Sequence, residues 1–243
     1  MADQAKITRA AEILSRKIGK SQEEIIKAIN EQIKGKSTTE ALAIINDTNL
    51  PEIMRIKTAN AVSGYAAASS ELLLSKKAFA PVSEATLTTL LNTSEQYLQG
   101  QLLGMSATMK QEIVSGIVNK KTTKEIMESM AKKGYGSQVG LKRIVNDGLN
   151  NYSRAVTRTM MEEAPKNLKY VYIGPIDEKT REFCVRAASL GALTLDEINS
   201  FSPSSLSEGG GINCRHNWEL AATDTKSQFH RGKEAEQKME AKR

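Results

Sequence analysis

Between residues 138 and 163 apolar side chains recur every three or four positions, and Pro165 follows directly on that pattern. Leu141, Ile144, Val145, Leu149, Tyr152, Val156 and Met160 share one face of a helix, whereas a strand would need them at alternate positions. Lys142, Arg143, Arg154 and Arg158 fall on the other face, which the pattern assigns to solvent. A proline cannot extend such a helix, because its ring clashes with the preceding turn and it brings no N–H. The chain therefore carries a long amphipathic helix over 138–163 and a boundary near Pro165.

Everything before that boundary predicts helix. Ser21 with Glu24, Ser37 with Glu40 and Thr122 with Glu125 have the S/T-x-x-E spacing in which two side chains satisfy orphan backbone donors reciprocally, so helices are expected to begin near 22, 38 and 123. Longer helices are expected over 52–77 and 83–118, punctuated by Pro51 and Pro81. Only 5% of the chain is aromatic, which argues for a lightly built helical core and against a β-sandwich.

After Pro165 the texture changes. Six of the eleven aromatics, both cysteines (Cys184, Cys214) and both histidines (His216, His230) lie here. Leu168-Lys-Tyr170-Val-Tyr172-Ile alternates as a strand does and ends at Gly174-Pro175. A helix is expected over 178–189, then an irregular stretch containing Gly209-Gly210-Gly211, then a second strand within 212–220. The expected fold is mostly α: an elongated helical arm over 1–109, a basic helical part over 110–164, and a small α+β part over 165–225. A charged tail over 226–243 would be an exposed helix or disordered.

The net charge of +6 is concentrated. Residues 1–109 and 166–243 each hold 12 basic and 11 acidic groups, while 110–158 hold 10 against 4. Lys120, Lys121, Lys124, Lys132, Lys133, Lys142 and Arg143 are the candidates for sequence-blind contact with nucleic-acid phosphates. A solvated helix face explains the same residues, since only Tyr135 and Tyr152 lie there as stacking platforms. No apolar run reaches the ~18 residues of a membrane span, and the first residues lack an apolar signal core, so the expectation is a protein without membrane contact.

Gly19-Lys20-Ser21 and Gly35-Lys36-Ser37 imitate the end of a phosphate loop, but Leu14 and Asn30 stand where its first glycine belongs, so both predict helix ends and caps. The chemistry lies after Pro165, in Asp177-Glu-Lys-Thr180-Arg181-Glu-Phe-Cys184 and Cys214-Arg215-His216. Asp177 suits a helix start, and Arg181 and Arg215 are expected to pair with Asp177 or Glu182 in a buried network. Cys184, Cys214 and His216 form an alternative reading, a structural zinc site with Asp177 or His230 as fourth ligand, although no C-x-x-C knuckle is present. The leading expectation is no cofactor. Catalysis has little to work with: the first 110 residues contain no histidine or cysteine, and a nucleophile at Cys184 or Cys214 has no visible base.

These two elements and their separation resemble the phage Mu F-like minor head protein family, the head morphogenesis proteins of tailed phages, over roughly residues 110–220. That family carries D-x-x-T-R-x-x-C/H followed by C-R-C or C-R-H; its usual Pro-Pro or Pro-x-His is replaced here by Gly209-Gly210-Gly211-Ile212-Asn213. The resemblance implies a non-enzymatic head component located inside the virion near the portal vertex, and in the host cytoplasm during assembly. Implied partners are the portal protein, the major capsid or scaffolding protein, and packaged double-stranded DNA. The alternatives are an enzyme acting on nucleic acid or protein, or a DNA-binding assembly factor absent from the virion.

Overall fold

A computed structural model describes residues 2–76 and 82–221. The chain is mostly α, with a small two-stranded antiparallel sheet toward its C-terminal end. In order, the described elements are α1 (Ala2–Ile33), α2 (Thr38–Asp47), α3 (Leu50–Lys76), α4 (Glu84–Val118), α5 (Thr123–Lys132), α6 (Gln138–Glu163), β1 (Tyr170–Ile173), α7 (Glu182–Ser189), α8 (Leu195–Phe201) and β2 (Asn217–Leu220). The charged tail, with His230, lies outside the described residues. Among the described residues no helix is long and apolar enough to cross a membrane.

Two of the three expected capping boxes begin helices. Ser37 caps α2 and Thr122 caps α5, each accepting from the N–H three residues on while Glu40 or Glu125 accepts from the cap's own N–H. Ser21 does not start a helix. It lies inside α1, and its hydroxyl donates to the Lys57 carbonyl 3.0 Å away, so the side chain ties two helices together instead of capping one. Gly19 is tolerated mid-helix because a Cβ there would stand only 3.3 Å from Leu141 Cδ1 of α6. Gly35 follows the end of α1 at φ +73°, a left-handed conformation that favours glycine.

By internal packing the chain forms two units. One consists of 8–67 and 93–148; the other gathers 1–7, 68–92 and 149–243. The first is built on an aliphatic and methionine core including Ile18, Ile26, Ile45, Met54, Leu98, Met105 and Ile113, with Tyr65 buried among them. Its basic residues are partly spent inside the unit: Lys133 pairs with Glu112 at 2.5 Å, Lys142 with Glu12 at 2.6 Å and Lys124 with Glu128 at 4.0 Å.

The second unit holds the sheet. β1 and β2 pair with Tyr172 opposite Trp218, and Leu193 adds a two-bond bridge to Tyr170. Tyr170 and Tyr172 pack with Met161, Cys184, Ala187, Ile198, Leu206, Cys214 and Trp218 in one core cluster, which is the inward side that the alternation of 168–173 predicts. The stretch expected to be irregular contains α8. Thr194 and Glu197 cap it by the same reciprocal bonds that start α2 and α5. The helix expected from 178 begins instead at Glu182, because Asp177–Thr180 is folded as a side-chain-bonded turn.

Candidate functional site

Asp177 organises its turn by accepting the Lys179 N–H at 3.0 Å, while its own N–H donates to Thr180 Oγ1 at 2.8 Å. Thr180 Oγ1 in turn lies 3.0 Å from the Pro175 carbonyl. Such a turn presents both carboxylate oxygens outward, and Arg215 takes them as a fork: Nη1 to Oδ2 at 2.7 Å and Nη2 to Oδ1 at 2.6 Å. The Asp177–Thr180 element and the Arg215 element, far apart in sequence, are therefore clasped together. The expected network is corrected in one respect. It is not buried, since the Asp177 and Arg215 side chains are 43% and 29% exposed. Arg181 donates to the Ile212 backbone carbonyl, pinning the loop by its main chain.

The guanidinium beside it holds the Asp177 carboxyl well below the usual carboxylate range, with the Lys179 N–H and Thr180 adding to the effect. A lowered folded pKa contributes stability that is present above the unfolded value and is lost as pH falls. Asp177→Asn is thus expected to lower stability at pH 7 by about 1 kcal/mol or less, as befits an exposed pair. The deficit should shrink below about pH 4, where the unfolded carboxylate also protonates. Urea unfolding of both proteins between pH 2 and pH 7 checks this; a deficit that grew on acidification would contradict the clasp.

The buried arginine of this region is one that the sequence pattern assigned to solvent. Arg154 of α6 is 2% exposed. Its Nε donates to the Ser207 carbonyl at 3.0 Å, Nη1 to the carbonyls of Cys214 at 3.2 Å and His216 at 3.4 Å, and Nη2 to Asn151 Oδ1. Ser153 and Thr157 on the same face receive the Asn217 amide at 3.3 and 3.2 Å. The second half of α6 thus has a polar buried face of Asn150, Ser153, Arg154 and Thr157 beside its apolar one. The signal was available: serine, threonine and asparagine at helical spacing around an arginine supply neutral partners for a backbone that has no ladder of its own.

Cys184, Cys214 and His216 do converge. All three are at most 2% exposed, and one ligand atom from each lies within 4.8 Å of the others. The sulfurs are 3.6 Å apart, and Cys214 Sγ is 3.9 Å from His216 Nδ1. Of the two proposed fourth ligands, Asp177 is engaged by Arg215, and His230 lies outside the described residues. The group sequence reasoning missed is Tyr172, whose hydroxyl sits 3.5 Å from Cys214 Sγ and 3.9 Å from Cys184 Sγ while its ring stacks on His216 at 12°.

No protein family, curated protein or solved structure matches the chain. What the site can do rests on its own chemistry.

Hydrogen bonding with Cys184 pushes the Cys214 thiol down, and His216, the Gly210 N–H and Tyr172 add to it. Cys184 moves the opposite way, raised by the same sulfur pair and by burial. Burial and the neighbouring cysteines push the Tyr172 hydroxyl up, so it remains protonated. The glycine loop makes the crowding possible. Gly209 has φ +60°, and a Cβ on it would stand 2.9 Å from Cys214 Sγ; a Cβ on Gly210 would collide with Cys184 Sγ. The glycines thus let the loop backbone lie against the sulfurs.

Proposed function

We propose that this chain is a structural, non-enzymatic minor head protein of a tailed phage, associated with the portal vertex and acting in head assembly. The observation that carries the reading is the interlocking of the two sequence elements on which the Mu F-like resemblance rests. Asp177 is forked by Arg215, and Cys184 meets Cys214 across thirty residues of sequence. Residues that pack against one another in this way act as a structural unit, which explains why they occur together.

Burial supports a structural role over a catalytic one. A nucleophilic cysteine needs access to its substrate, and Cys184 and Cys214 are 1% and 2% exposed beneath the glycine loop. Contact with packaged DNA forms part of the proposal through phosphates alone. With Lys124, Lys133 and Lys142 already paired, that contact rests on Lys120, Lys121, Lys132 and Arg143.

Quantitative mass spectrometry on purified particles of the phage that encodes the chain tests the assignment. The expected result is a low, reproducible copy number relative to the portal and major capsid proteins. Loss after DNA ejection would mark the chain as delivered with the genome, and retention would mark it as fixed in the head. Absence from particles would overturn the proposal and favour an assembly factor or an enzyme.

A further inference from the structure

We propose that Cys184, Cys214 and His216 bind one Zn(II) ion, with the Tyr172 hydroxyl at the fourth corner as a neutral oxygen donor. The inference does not depend on the head-protein reading.

Four observations carry it. The first is spacing. Zn–S bonds of about 2.3 Å set a sulfur–sulfur edge of about 3.8 Å in a tetrahedron, and the shorter bonds to nitrogen or oxygen give mixed edges of about 3.6 Å. The Cys184–Cys214 edge is 3.6 Å, Cys214–His216 Nδ1 is 3.9 Å, and the Tyr172 hydroxyl is 3.5 and 3.9 Å from the two sulfurs. A disulfide would need about 2.05 Å. The second is donor chemistry: two thiols and an imidazole are a set that suits zinc and soft metals and suits magnesium or calcium poorly.

The third is seclusion. Cys184, Cys214 and His216 are at most 2% exposed, so the sulfurs and the Nδ1 that faces them are shielded from solvent. The fourth is the shell behind the ligands. Arg154 holds the Cys214 and His216 carbonyls, and the Gly210 N–H hydrogen-bonds Cys214. Tyr172 stacks on the His216 ring. Such outer contacts orient the ligands before the metal arrives.

Binding forms two S–Zn bonds as the thiol protons leave for solvent. The imidazole and phenol contribute lone pairs, and no electrons are transferred. The ion would cross-link β1, α7 and the loop before β2, three pieces that lie apart in sequence.

The test uses the full chain purified without chelator. Elemental analysis is expected to find one zinc per chain. After chelation, titration with Co(II) should give thiolate-to-metal charge-transfer absorption together with the ligand-field bands of tetrahedral cobalt. Cys184→Ser should lose stoichiometric zinc. Tyr172→Phe keeps the ring but removes the oxygen, and should weaken zinc affinity about 10–100-fold while shifting the ligand-field bands and sparing the charge-transfer band. Circular dichroism on each variant separates loss of metal from loss of fold. Wild-type chain that is folded yet takes up neither zinc nor cobalt would overturn the proposal, as would two cysteines found oxidised to a disulfide in metal-free protein. Unchanged bands in Tyr172→Phe would remove tyrosine from the fourth corner.

Discussion

Arg154→Ala is expected to destabilise the unit that holds the sheet by about 3–5 kcal/mol, since each buried carbonyl left unpaired costs about 1–3 kcal/mol. Three main-chain carbonyls, of Ser207, Cys214 and His216, converge on this one guanidinium in a stretch without regular secondary structure. Truncation leaves them facing a cavity without their donor. Arg154→Lys should recover less than half of the loss, because an ammonium is a compact donor that cannot span carbonyls lying at different ends of a planar fork. Hydrogen exchange resolved by peptide makes the measurement local. Protection should fall across 207–220 and remain near wild type in α1 and α2. Wild-type protection over 207–220 in the alanine variant would show that the loop is held by something else.

Trp218→Ala should cost about 3–5 kcal/mol in the same unit, the usual range for deleting a buried tryptophan. Trp218 is almost wholly buried, tilts over Tyr172 at 5.0 Å and donates its indole N–H to Ser205 Oγ at 3.0 Å. That bond reaches the turn at Pro203–Leu206, so one side chain joins β2, β1 and the turn. Trp218→Phe keeps much of the apolar area while losing the donor, and should cost roughly 1–2 kcal/mol. Urea unfolding followed by circular dichroism reads both variants. A loss under about 1 kcal/mol for the alanine variant would mean that the ring sits outside the cooperative core.

Most of the helical layout was legible because its signals are local. α6 occupies the span its periodicity predicts, and α2 and α5 start at their capping boxes. The same local pattern misled at Ser21, where a cap-like triplet sits within a helix whose continuation is decided by packing against α3 and α6. It was overlooked at Thr194–Glu197, where surrounding serines and glycines suggested a loop. The site was legible in its membership and not in its wiring. Cys184, Cys214 and His216 meet, and Asp177 pairs with Arg215, as those residue types suggest. That Arg154 would turn inward, and Tyr172 would point its hydroxyl at the sulfurs, depends on how α6 and β1 pack, which no spacing along the chain encodes.

The division of the chain into two packed units has a genetic consequence. One unit takes 1–7, 68–92 and 149–243, and the other takes the two segments between them. Neither is written as one uninterrupted stretch of gene. A recombination event with a single crossover, such as one near residue 110, would splice part of each unit to foreign sequence. Both cores stay whole when the reading frame is exchanged as one piece.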